Sequence, residues 1–247
     1  MNKSEGITPT EEYLAKLGRR SFLSLWSHPN LYRGPAKELA DLTVVCGHHV
    51  IIFSDKHIRF DNGIEVKTAW KRWYKKAVVH SAKQLLRAHG WVLRHRDRIF
   101  FDAKASMPAK LFDRVDKPLE IHLVAVANGA SRACLNFFSG GSGSLVVCPE
   151  EDPVHPEPFC VGNPGGERAF VDVFDEANLN VILKELDTVA DLLNYLRARQ
   201  HLFSNKKFVS SHSDEDLLAF YLKDVNEEGG MTLYSAMIHP KILINFI

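Results

Sequence analysis

The sequence predicts an α/β protein with a mixed central sheet flanked by helices, and three observations predict it. Two short β-branched and aromatic runs, Leu42 to Cys46 and Val50 to Phe53, flank Gly47-His48-His49, which reads as a tight hairpin. Each run is apolar at consecutive positions, so both faces of those strands are expected to be covered. A third run of the same kind, Leu119 to Ala127, is separated from the hairpin by a helical period from Glu65 to about His89. Strands alternating with helices make a layered sheet.

The elements follow in order. Thr8-Pro9-Thr10-Glu11 is a helix start, with Thr8 as cap, Pro9 in the first turn and Glu11 closing a capping box. Apolar residues at helical spacing carry that helix to about Trp26, and His28-Pro29-Asn30 ends it. A loop through Gly34-Pro35 leads to the hairpin. In the helix from Glu65, Trp70, Trp73, Tyr74, Ala77, Val78, Ser81, Leu85 and Ala88 mark one face, and Gly90 is its natural stop. Trp70 and Trp73 read as core residues rather than base-stacking platforms. Arg98 to Asp102 and Leu119 to Ala127 are the next strands, Ser131 to Phe138 a short helix, and Ser144 to Cys148 another buried strand. The glycine-rich run 139–144 precedes a strand and lacks GK[ST], so it reads as a turn and not a phosphate loop.

The Pro/Glu-rich stretch 149–159 is the expected boundary between an α/β core, 1–148, and a mainly helical C-terminal extension, 149–247, packed on it. Within the extension Ala169 to Phe174 reads as a strand, Asp175 to Arg199 as one long helix or a broken pair, and Asp214 to Val225 as another helix. Asp172, Asp175, Glu176 and the acids at 214–216 read as helix-start residues complementing the dipole. The last residues, 237–247, form an apolar strand-like run, which points to a chain shortened at that end.

Composition excludes several classes. With 45% hydrophobic and 25% charged residues and a net charge of +1, the chain is not expected to be disordered. No apolar run approaches the roughly 20 residues that cross a bilayer, and no signal pattern opens the chain, so a cytoplasmic location is expected. The four cysteines show no CxxC spacing and read as reduced thiols. Between Glu65 and Arg98, ten Lys/Arg face two acids. Lys71, Arg72, Lys75, Lys76 and Lys83 of that run are candidate contacts to a nucleic-acid backbone. The same pattern also suits a solvated helix face.

The hairpin carries the candidate chemistry. Asp41 opens its first strand and Lys56 closes the second, so pairing about 47–49 brings those two ends together. Glu38 lies three residues before Asp41. Carboxylates at one end of a sheet can hold Mg²⁺, and a lysine beside them can orient water and stabilise charge. Strand alternation turns Asp55 to the face opposite Lys56. The bland alternative is a turn hydrogen bond at Asp41 and a solvated strand exit at Asp55-Lys56. His48, His49 and His57 read as surface residues of the hairpin rather than as metal ligands.

The run ELADLTVVCGHHVIIFSDK (38–56) with AWKRWYKKAVVHSAKQLLRAHGWV (69–92) resembles a bacterial family of hypothetical proteins. The resemblance continues through SGGSGSLVV (139–147), RAFVDVFDE (168–176) and SDEDLLAFYL (213–222), and it brings no established activity. More distantly, residues 10 to 127 resemble the PD-(D/E)XK core of restriction-type and Mrr-like nucleases. In that pattern an acid at a strand start is followed, across a turn, by acid-x-lysine on the next strand. Asp41 matches the first acid and Lys56 the lysine, while Ser54 stands where the second acid belongs. This second resemblance implies a restriction-endonuclease-like core and a Mg²⁺- or Mn²⁺-dependent endonuclease acting on DNA, in anti-phage defence or genome maintenance. Asp41 and Glu38 would bind the metal, Lys56 would serve the nucleophile, and Gln84 would be the auxiliary polar residue. The competing expectation is a catalytically degenerate protein that binds nucleic acid or a protein partner.

Overall fold

The computed structural model describes residues 12, 15, 16 and 25–228, except 114, 150, 151, 155, 206 and 207. Of the N-terminal helix expected up to Trp26, Glu12, Ala15, Lys16, Leu25 and Trp26 are helical; its other residues, and the apolar run 237–247, lie outside the described set.

A five-stranded mixed sheet, flanked by helices, organises the molecule. Its strands are β1 (Ser27–Gly34), β2 (Lys37–Cys46), β3 (His49–His57), β4 (Glu120–Asn128) and β7 (Val171–Phe174), in that spatial order. β1–β2 and β2–β3 are antiparallel; β3–β4 and β4–β7 are parallel. The hairpin forms with Leu42 opposite Phe53 and Val45 opposite Val50, turning on Gly47 at φ 61, a value that favours glycine. Its strands run longer than their apolar runs, because Asp41, Ser54 and Asp55 are buried polar residues inside the ladder.

The parallel β3–β4 pair requires a crossover, supplied by a continuous helical rod. It comprises α1 (Val66–Tyr74), a π-helical turn (Lys75–Val79) and α2 (His80–His95). Glu65 starts it, its carboxylate accepting from the Lys67 and Thr68 amides. The expected stop at Gly90 is not one: Gly90 is helical and the rod runs on to His95. The glycine costs only about 1 kcal/mol relative to alanine, too little to end a helix whose Val92 is buried in the core.

Two apolar layers follow from strand alternation. Val50, Ile52, Leu123 and Ala125 pack with Trp70, Val78 and Leu85 of the rod. Ile51, Phe53, Val124 and Val126 pack on the other face with Ile182, Leu192, Leu196 and Leu218. Those residues come from α4 (Glu176–Glu185), α5 (Val189–Phe203) and α6 (Asp214–Glu228), so the expected 175–199 helix is a broken pair. The segment beyond the Pro/Glu-rich stretch therefore supplies both β7 and the helices of the second layer.

Three further expectations need correction. The stretch around His28-Pro29-Asn30 is not a helix end and loop but strand β1. Pro29 is tolerated there because β1 is an edge strand, and Asn30 adopts φ 50. Arg98 to Asp102 is no full strand; Phe100 alone bridges, to Tyr32 of β1 and to Pro108. Ser144 to Cys148 contributes only β5 (Val146–Val147), which pairs with β6 (Cys160–Val161) in a separate two-stranded ribbon. Between β4 and β5, α3 (Ser131–Phe137) forms as expected. All four cysteines are free thiols. Among the described residues no helix is long and apolar enough to cross a membrane.

Candidate active site

Asp41 lies in β2 and is buried. Its Oδ2 accepts from the Asp55 backbone N–H at 2.6 Å, beside Leu42, where the β2–β3 ladder begins. The same antiparallel register sets Asp41 across from Ser54, which is fully buried. Gln84 of α2 reaches down to both. Its Nε2 donates to Asp41 Oδ1 at 3.5 Å and its Oε1 accepts from Ser54 Oγ at 3.4 Å, both at the long limit of hydrogen bonding. Asp41, Ser54 and Gln84 thus close a small polar cluster between the sheet and the rod.

Lys56 shares the rod-covered face with Ser54 by alternation, is half-buried and stands opposite Ala127 of β4. Asp55 points the other way, its Oδ1 accepting from Asn128 Nδ2 at 2.7 Å. Glu38 is exposed at the start of β2, opposite Tyr32, where the β1–β2 register shifts. The sequence candidates therefore divide: Asp41, Gln84 and Lys56 lie on one side of the sheet, while Glu38 sits at the exposed end of its strand. Lys71, Arg72, Lys75, Lys76 and Lys83 are all exposed along the outside of the rod. Trp70 and Trp73 are buried and stacked at 5.0 Å, with Trp73 Nε1 donating to the Ile58 carbonyl at 2.7 Å.

Two charged networks escaped the sequence reading. At the opposite end of the sheet, Arg197 of α5 grips Glu120 with Nε to Oε1 at 2.6 Å and Nη2 to Oε2 at 2.9 Å. This hydrogen-bonded pairing holds the Glu120 carboxyl down to about 2. Behind the second layer, Arg199 is fully buried between two acids. Its Nη1 donates to Asp172 at 2.6 Å and its Nε to Asp214 at 2.7 Å, so Asp172 is a partner of Arg199 and not a helix-start residue. Burial pushes the Asp172 carboxyl up to about 6 against the pull of Arg199.

Asp175 is the cap it was expected to be, and more. Its carboxylate accepts from the Ala177, Asn178 and Leu145 amides at 2.9, 3.0 and 2.8 Å, tying α4 to the glycine-rich run. Burial pushes its carboxyl up to about 7. An acid raised on folding contributes stability that is present below its unfolded value near 3.9 and lost as pH rises through about 7. Wild type should therefore lose roughly 2–3 kcal/mol from this group between pH 5 and 8, and Asp175→Asn should not. His89 and His122, which burial pushes down, act in the opposite sense below about 6.5. The check is the difference in urea midpoint between Asp175→Asn and wild type, which should move in favour of the variant from pH 5 to pH 8.

No protein-family model, curated protein or solved structure matches this chain.

Proposed function

We propose that this protein is a divalent-metal-dependent nuclease that hydrolyses phosphodiester bonds in DNA at the Asp41–Lys56 end of the hairpin. The observation that carries the reading is that Asp41, Lys56 and Gln84 belong to one side of the sheet, beneath a rod whose outer face bears exposed lysines and arginines. The order β1–β2–β3, helical rod, β4, with antiparallel, antiparallel and parallel pairings, supports it by resembling the restriction-endonuclease-like core.

The donor set fits a hard cation that keeps most of its water. Asp41 offers a carboxylate whose Oδ1 accepts from Gln84 at the long limit of hydrogen bonding, and Ser54 and Gln84 add neutral oxygens; Glu38 would join from the exposed end of β2. When bound, Mg²⁺ or Mn²⁺ would neutralise charge on the scissile phosphate. Lys56 would stabilise the negative charge that grows as a water oxygen bonds to phosphorus and the bond to the leaving oxygen breaks. Gln84 would orient water or phosphate, and Lys71, Arg72, Lys75, Lys76 and Lys83 would contact the backbone.

Ser54 favours a second reading, a catalytically degenerate protein that binds DNA or a protein partner. A neutral hydroxyl stands where a second carboxylate would hold the metal.

Plasmid DNA incubated with Mg²⁺ or Mn²⁺ separates the two. Wild type should cleave, and Asp41→Ala and Lys56→Ala should each lose at least about a hundredfold in rate. Equal cleavage by all three sinks the proposed site. No cleavage, with salt-sensitive DNA binding that weakens in Lys75→Glu/Lys76→Glu, selects the second reading.

A further inference from the structure

We propose that His48, His49 and Glu120 form a binding site for a transition-metal cation of the Zn²⁺ class. Each offers one ligand atom, and the three atoms lie within 4.8 Å of one another. The backbone builds this proximity. The hairpin tip carries both histidines, the Glu120 amide donates to the His48 carbonyl at 2.9 Å, and His49 stands opposite Glu120 in the parallel register. The two imidazoles lie against each other with ring centroids 3.9 Å apart.

The spacing suits a tetrahedral ion. His49 Nδ1 and Glu120 Oε2 are 3.2 Å apart, close to the edge of roughly 3.3 Å expected between two ligands held at about 2.0–2.1 Å from Zn²⁺. A cation there takes the place of Arg197 Nη2, which lies 2.9 Å from Glu120 Oε2 and 3.3 Å from His49 Nδ1, and His48 closes the third position. A fourth remains for water or another ligand. The other carboxylate oxygen, Oε1, is already held by Arg197 Nε at 2.6 Å and by the buried His122, whose Nε2 lies 3.0 Å away. Partners of this kind fix ligand geometry in metal sites. The adjacent Arg197 charge works against a dication, so micromolar rather than tighter affinity is expected.

Chemistry separates this site from the proposed nuclease centre. Two imidazole nitrogens and one carboxylate select borderline transition cations, whereas Mg²⁺ prefers oxygen alone. Distance separates them too: His49 and Lys56 stand at opposite ends of β3, roughly 23 Å apart at about 3.3 Å per residue.

The test uses untagged, chelator-treated protein, titrated with Zn²⁺ against a chromophoric chelator and with Co²⁺ for its visible spectrum. Wild type should take one equivalent of Zn²⁺ that millimolar Mg²⁺ does not displace, and Co²⁺ should show the intense bands of tetrahedral coordination. His48→Ala and His49→Ala, both at a turn and checked for fold by circular dichroism, should each weaken Zn²⁺ at least about tenfold. The double variant should abolish binding, and Asp41→Ala and His57→Ala should leave it unchanged. Absence of Zn²⁺ binding by wild type, or undiminished binding by the double variant, overturns the proposal.

Discussion

Arg199→Ala should lower the unfolding free energy by about 3–5 kcal/mol, the largest loss expected for any single polar residue described in this fold. The guanidinium is wholly buried, donates to Asp172 and Asp214, and lies 5.1 Å and 4.7 Å from the Phe174 and Phe203 rings. Removing it strands two carboxylates in a low-dielectric interior, and both are already pushed up by burial with Arg199 beside them. Arg199→Lys should rescue little, since one ammonium cannot reproduce the planar fork that reaches a strand and a helix at once. Replacing all three by apolar residues, in Arg199→Met/Asp172→Leu/Asp214→Leu, should recover most of the loss. Urea denaturation of the four proteins checks this; a drop below about 1 kcal/mol in Arg199→Ala would show that the buried network contributes little.

Trp70→Ala should cost about 3–5 kcal/mol and leave any DNA binding by the folded fraction intact. Trp70 is fully buried, stacked on Trp73 and packed against Tyr74 and Phe159, with ring centroids 5.6 Å and 5.0 Å away. Its removal opens a cavity at the centre of the layer beneath the rod. Denaturation midpoints and DNA titration, both at low temperature, distinguish this from a base-stacking role. In that role affinity would fall while stability held.

Much of this fold was legible because apolar patterning is local. The runs at 42–46, 50–53 and 119–127 became β2, β3 and β4, and the helical period from Glu65 became the rod. β1 was hidden by Pro29 and Asn30, residues that break interior strands yet are accepted on an edge. Gly90 misled for a related reason, since burial of Val92 outweighs a propensity penalty of about 1 kcal/mol. Asp55 was correctly turned from Lys56 because alternation is a rule of backbone geometry. The charged networks were out of reach. Asp172, Arg199 and Asp214 meet across a strand and two helices, and Glu120 meets Arg197 and the hairpin histidines across the sheet. One signal was available: Glu120 and His122 stand two apart in a strand and share a face.

The edges of the sheet have a consequence for assembly. On one side, Pro29 offers no amide, Asn30 kinks the strand, and Tyr32 exchanges both backbone hydrogen bonds with Phe100, at 2.9 and 2.8 Å. On the other, β7 is only four residues long. Neither margin presents the long, straight row of open amides and carbonyls on which an extended peptide or a second copy of the chain could continue the ladder. Among the described residues, recruitment by strand addition to this sheet is thereby disfavoured, and contact with other macromolecules there falls to side chains displayed on helices and turns.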